Sequence, residues 1–247
     1  MCKKLFKGAH PGITANLLGL SFYLQKQKKF AEAEKILLEA LSQNKQLYGE
    51  KHRSVATSYN NLGQNAFKQQ DFTKALKYYK LAEDMYSALF GNQYSSLAIT
   101  LHNRANVYCE LKQWNKAIEL LKKAVEINTL KKRRKKLADN YMLLGKAYNQ
   151  TSSFNKAASC FRKMLSIHTQ FKNRYPQKLA IAYLELGKVQ IKTRQFVQAE
   201  TNLLQAYSRF QTKSSFTKKT LESLVVLYQT TDDRKKQIKY QQLLQAK

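Results

Sequence analysis

Apolar positions recur along the chain at helical spacing, interrupted by short polar breaks. The pattern is clearest between Tyr59 and Ala82. There Tyr59, Leu62, Gly63 and Ala66 lie three, one and three residues apart, and Phe72, Ala75, Tyr79 and Ala82 lie three, four and three apart. Each set falls on one face of an α-helix. Polar Lys68-Gln69-Gln70-Asp71 separates them, with Asp71 placed to cap the second helix. The stretch predicts two short helices packed face to face, with Gly63, Ala75 and Ala82 where they approach most closely.

This unit repeats. The aromatic residue opening its second helix recurs as Phe30, Phe72, Trp114, Phe154 and Phe196, in steps of 42, 42, 40 and 42 residues. Behind it run a strict alanine column (Ala33, Ala75, Ala117, Ala157, Ala199) and a large apolar column (Leu37, Tyr79, Leu121, Phe161, Leu203). A further column reads Ala40, Ala82, Ala124, Met164 and Ala206, and the small residue of the first helix reads Ser21, Gly63, Ala105, Gly145 and Gly187. A fixed period with five aligned columns is the signature of a repeat array. The repeats fall near 13–46, 55–88, 97–128, 137–170 and 178–211, followed by a weakened pair at 216–246 that reads as a C-terminal cap. Asp71, Asn115 and Ser153 are the expected caps of second helices, with Asp232 or Asp233 in the last pair. Arg104 stands where the other repeats have Leu62, Leu144 and Leu186, so it either reaches outward or marks an opened joint.

The columns resemble the tetratricopeptide repeat. The 42-residue period, with Leu47-Tyr48-Gly49, Leu89-Phe90-Gly91 and His10-Pro11, is similar to the lengthened repeats of kinesin light chains and nephrocystin-3-like proteins. The heptad segment of kinesin light chain has no counterpart here. The resemblance implies an all-α, right-handed superhelical solenoid, one domain over 1–247, acting as a non-catalytic protein-interaction scaffold. It further implies that the first helices line a concave groove for short acidic peptides with an aromatic anchor. The groove slots are then Leu18 and Phe22, Asn60, Gln64 and Lys68, His102, Asn106 and Cys109, Lys146 and Asn149, and Lys188 and Lys192. That stripe runs from apolar through amide to cationic. Amides can pair a peptide backbone, and ammonium groups carboxylates.

Charge adds a second reading. The chain is formally +28, with 35 Lys and 9 Arg against 16 acids. Residues 127–221 hold twenty Lys/Arg against Asp139, Glu185 and Glu200. Lys131-Lys132-Arg133-Arg134-Lys135-Lys136 sits at the 40-residue step. Such a run suits RNA, DNA, an anionic membrane surface or nuclear import, and equally a solvated joint; lysine bias also follows from an AT-rich genome. Tyr and Phe sit mostly on packing columns rather than between basic residues, which favours a peptide or acidic protein over nucleobases.

Catalysis has no support. No phosphate-binding loop, metal-ligand spacing or nucleophile motif is present, and His102 and Cys109 share a helix face about 10 Å apart along the axis. No cofactor, metal or small-molecule substrate is expected. Three cysteines without a pairing pattern, an N-terminus without an apolar signal core and no long apolar run point to the cytoplasm, with nuclear import or non-Sec export left open. Leu5-Phe6 aligns with Leu47-Tyr48, so the chain begins on the tail of a helix whose repeat is missing; truncation or self-association through that end is expected.

Overall fold

The two prolines and the glycines at helix ends set where helices can start and stop. The computed structural model describes residues 10–170, 175–210 and 215–245. Within them lie α1 (Pro11–Lys26), α2 (Phe30–Tyr48), α3 (Arg53–Lys68), α4 (Phe72–Phe90), α5 (Ser95–Glu110) and α6 (Trp114–Leu130). They continue as α7 (Arg134–Gln150), α8 (Phe154–Thr169), α9 (Pro176–Lys192), α10 (Phe196–Arg209), α11 (Ser215–Thr230) and α12 (Arg234–Gln245). Pro11 and Pro176 each open a helix, where a missing N–H costs nothing. Gly49 and Gly91 end α2 and α4 at φ +79° and +71°.

The result is an all-α solenoid of six helix-turn-helix pairs among the described residues. All five column aromatics are the first residue of a second helix. The helices group into two compact units, residues 1–132 and 133–247. In the first, each helix of α1–α6 packs on its neighbours in sequence, and α3 also touches α5. In the second, α7–α12 do the same, and α9 touches both α7 and α11. First helices therefore lie side by side within each unit. The predicted Leu5-Phe6 and self-association features, like Cys2, lie outside the described residues.

The packing columns form the core. The alanines at 33, 75, 117, 157 and 199 are fully buried, as are Leu37, Tyr79, Leu121, Phe161 and Leu203. Each large side chain of this size contributes about 1.5–3 kcal/mol on burial. The small column exists to admit them. A Cβ on Gly63 would lie 2.7 Å from the Tyr79 ring, one on Gly145 2.7 Å from Phe161, and one on Gly187 2.7 Å from Leu203.

The turn inside every pair has one geometry. Lys28, Gln70, Lys112, Ser152, Arg194 and Asp232 all adopt the left-handed region, with φ between +54° and +63°. The next N–H closes a six-residue ring onto the first helix: Lys29 to Leu24 O (2.9 Å), Gln113 to Tyr108 O (2.8 Å), Ser153 to Tyr148 O (2.8 Å). These are Schellman turns built without glycine. Lys132 adopts the same conformation (φ +52°) between α6 and α7. The joint there has three residues where those after α2 and α4 have four, and the flanking helices also differ in length, giving the 40-residue step.

Capping follows the expected pattern in part. Asp71 Oδ1 accepts from Lys74 N (3.0 Å), and Asp233 Oδ1 from Lys236 N (3.1 Å). Asn115 is not a cap, because α6 starts at Trp114 and Gln113 holds the N-cap position. Ser153 holds that position for α8 but makes no side-chain cap bond. Unexpected caps are His10 and His52, whose Nδ1 atoms accept from Gly12 N (3.1 Å) and Ser54 N (3.2 Å).

Candidate interaction surface on the first helices

Successive first helices are tied by side-chain bonds between residues 43 apart. In the first unit Lys68 Nζ donates to Gln25 Oε1 (2.7 Å), and Asn103 Nδ2 donates to Asn60 Oδ1 (3.3 Å), which also accepts from Thr100 Oγ1 (3.2 Å). In the second, Lys192 Nζ donates to Asn149 Oδ1 (3.0 Å) and lies over the Phe154 ring. Four of the predicted groove residues thus take part in ladder-like bonds, Asn60 and Lys68 within the first unit and Asn149 and Lys192 within the second. Burial and the neighbouring Lys26 hold the Lys68 ammonium below the ordinary lysine range.

The remaining slots differ in depth. Phe22, Gln64 and Lys146 are exposed, Phe22 at 59%. Asn106 and Lys188 are half-buried, as are His102 and Cys109, both of which have partners of their own. Leu18 is half-buried against Leu37 and Ile13, so it serves the core as much as the surface. The six cations at the 40-residue step are exposed except for half-buried Arg133. Arg134 donates to Gln170 Oε1 (2.8 Å), and Lys135 lies over the Tyr175 ring.

Arg104 has the acid that its own surroundings in sequence did not offer. It pairs with Glu83 on α4, both side chains 18% exposed, and stacks on Tyr108. It is turned onto Glu83 and Tyr108 rather than out into open water.

Sequence reasoning missed a buried polar column. Asn44, Tyr86, Asn128 and His168 hold equivalent places near the end of successive second helices, and all are buried. Asn44 Nδ2 donates to Ser58 Oγ (2.8 Å), and Tyr86 OH shares a bond with Thr57 Oγ1 (2.9 Å). His168 has neither ring nitrogen bonded among the described residues and meets the Tyr175 ring edge-on. The signal was present in the 42-residue period, but four chemically unlike residues do not stand out as a column.

Two clefts open in the first unit. One, of about 330 Å³, is lined by apolar Leu97, Leu101, Ile127 and Leu130 together with Glu83, Lys123 and Glu126. The other, about 490 Å³, lies between α1, the end of α2 and the start of α3. No group of three or more potential metal-ligating side chains gathers among the described residues, and no helix there is long and apolar enough to cross a membrane.

Known folds match this architecture. BtubC (BKLC) from P. vanneervenii is similar at a TM-score of 0.75 and 20% identity over 82% of this chain and 85% of that one. Pseudomonas aeruginosa pilF follows at 0.71 and 17%, covering 95% and 91%. Nearly identical TPR-like repeats from a candidate kinesin light chain of Podosopora anserina match at 0.68 and 18%, covering 81% and 96%. At these identities the likeness concerns the fold. No curated protein matches the sequence. The tetratricopeptide repeat family itself matches residues 13–88 and 96–170. With the columns, the helix pairs and this match in agreement, the chain belongs to the tetratricopeptide repeat family.

Proposed function

We propose that the chain is a non-catalytic cytoplasmic interaction scaffold whose first-helix face takes acidic peptides or acidic partner surfaces, in the manner of kinesin-light-chain-like grooves. The observation that carries this reading is the ladder of amide and ammonium groups between successive first helices. In the second unit the slots offer Lys146, Lys188 and Lys192 with no acid among them. Of the six acids in residues 133–247, Asp139, Glu200 and Asp233 already pair with lysines of the fold. Cations left over on a rigid face are suited to carboxylates.

The test is fluorescence anisotropy with labelled Asp/Glu-rich peptides carrying one tryptophan, on wild type and on Lys146→Glu/Lys188→Glu. Binding should weaken at least about tenfold in the variant with helicity unchanged. Equal binding removes the first-helix face from consideration. A single-stranded oligonucleotide that binds more tightly than any peptide, with a steep salt slope abolished by neutralising residues 131–136, replaces this reading with polyanion binding.

A further inference from the structure

The cleft between α4, α5 and α6 lies where repeat three lacks rings that its neighbour carries. In repeat two, Tyr59 on the first helix and Tyr78 on the second stack at 6.3 Å. Forty-two residues on, the same places hold Leu101 and Leu120. Leu41, Val55 and Met85, which cluster with those rings in repeat two, correspond to Glu83, Leu97 and Ile127, and all three line the cleft. Its volume, about 330 Å³, is within the range of small-molecule sites.

Other repeats show what suits this place. The column of Leu101 is tyrosine in repeats two, four and five, as Tyr59, Tyr141 and Tyr183. Each of these rings lies beneath a cation: Lys45 is 6.0 Å from the Tyr59 centroid, Lys163 5.4 Å from Tyr141 and Arg209 5.0 Å from Tyr183. A cation over a ring face is an attractive pairing. Leu17 takes the place in repeat one, which no complete hairpin precedes among the described residues.

Repeat three keeps the cation and loses the ring. Lys123 is the counterpart of Lys163, 40 residues later. It lines the cleft and has no ring beneath it among the described residues. Leu97, Leu101 and Ile127 are buried and supply an apolar wall. Glu83 already belongs to Arg104. Glu126 is exposed and pairs with none of the described cations. Its repeat-two counterpart Asp84 is held by Lys80 at 2.6 Å, and Lys29 pairs with Glu32 at the spacing that separates Lys123 from Glu126. In a chain with 44 cations and 16 acids, an unpaired carboxylate beside an apolar cleft is suited to an ammonium group.

We infer that this cleft binds a small aromatic amine, its ring beneath Lys123 against Leu97, Leu101 and Ile127, and its ammonium group on Glu126. The site uses none of the first-helix slots of the proposed peptide face and stands or falls without them.

Calorimetry and saturation-transfer NMR on the full chain would test it, with tyramine, p-cresol, butylamine and 4-hydroxyphenylacetate as probes. Tyramine should bind, and each of the other three at least about tenfold more weakly. Glu126→Gln should bring tyramine down to the level of p-cresol and leave p-cresol unchanged. Leu101→Tyr, which restores the tyrosine of repeats two, four and five, should abolish binding with the circular dichroism spectrum intact. Leu130→Trp narrows the cleft from an exposed position and should have the same effect if the buried site does not accept the ring. No binding of tyramine, equal binding of p-cresol or butylamine, preference for 4-hydroxyphenylacetate, or tyramine binding undiminished by Glu126→Gln or by both cleft-filling variants overturns the inference.

Discussion

Gly145→Ala sets two effects of similar size against each other. In an exposed helix interior the change stabilises by about 1 kcal/mol, since glycine carries more backbone entropy into the unfolded state. Here the new Cβ would sit 2.7, 2.8 and 3.1 Å from three atoms of the Phe161 ring. Comfortable carbon contacts lie near 3.5–4.0 Å, so ring and helix must separate by nearly 1 Å. Phe161 is fully buried, and close-packed interiors hold few voids into which a ring can retreat. Overpacking of this kind costs roughly 1–3 kcal/mol. The net expectation is a loss of about 1 kcal/mol, opposite in sign to the propensity effect. Phe161→Leu should relieve the clash, because repeat three already pairs Ala105 with Leu121 at these positions. The double-mutant cycle should then show a favourable coupling of about 0.5–2 kcal/mol. The assay is urea unfolding by circular dichroism of wild type, both single variants and the double. A Gly145→Ala protein as stable as wild type, or a coupling of zero, would falsify the packing argument.

Two further outcomes can be checked in the same way. Lys112→Gly should stabilise by about 0.5–1 kcal/mol, because Lys112 holds φ +57° and only glycine does so without strain; an unchanged or lower midpoint counts against a strained turn. His168 should make stability depend on pH: burial holds its imidazole below the ordinary histidine range, Lys178 adds to this, and Asp139 opposes it. The native state then binds the proton less readily than the unfolded chain, so this contribution is intact above pH ~6.5 and is lost as pH falls, by at most about 1.4 kcal/mol per unit. His168→Phe, which places the Phe210 side chain of the next repeat in this column, should remove that loss. The measured quantity is the difference between wild type and variant at pH 7.5 and 5.5, in which the contributions of groups common to both proteins cancel. No difference refutes the assignment.

The helix pairs were legible because one residue type per column does one job. An aromatic opens the second helix of each of the five repeats before the last pair, an alanine follows in the interior, and a glycine sits where the Tyr79 or Phe161 ring must pass. Other features left no such mark. The left-handed turns use lysine, glutamine, serine, arginine and aspartate, none of which announces a positive φ. Glu83 lies 21 residues before Arg104, in the preceding helix pair, so only the stacking of repeats brings the charges together. The candidate surface was read from slot positions alone, which could place Phe22 and Lys146 outside but not show that Lys68 and Lys192 are held by amides of the preceding repeat. The cleft between α1, the end of α2 and the start of α3 left no mark either, because volume is invisible in a list of residues.

The common turn geometry has a consequence for how such a protein changes over generations. Because Lys28, Gln70 and Lys112 bend the chain alike, one hairpin presents its neighbours with the same edges as the next. Lengthening or shortening is therefore easiest by whole hairpins, about forty codons at a time. A loss of one or two residues is tolerated best between hairpins, the place where the interval already drops from 42 to 40.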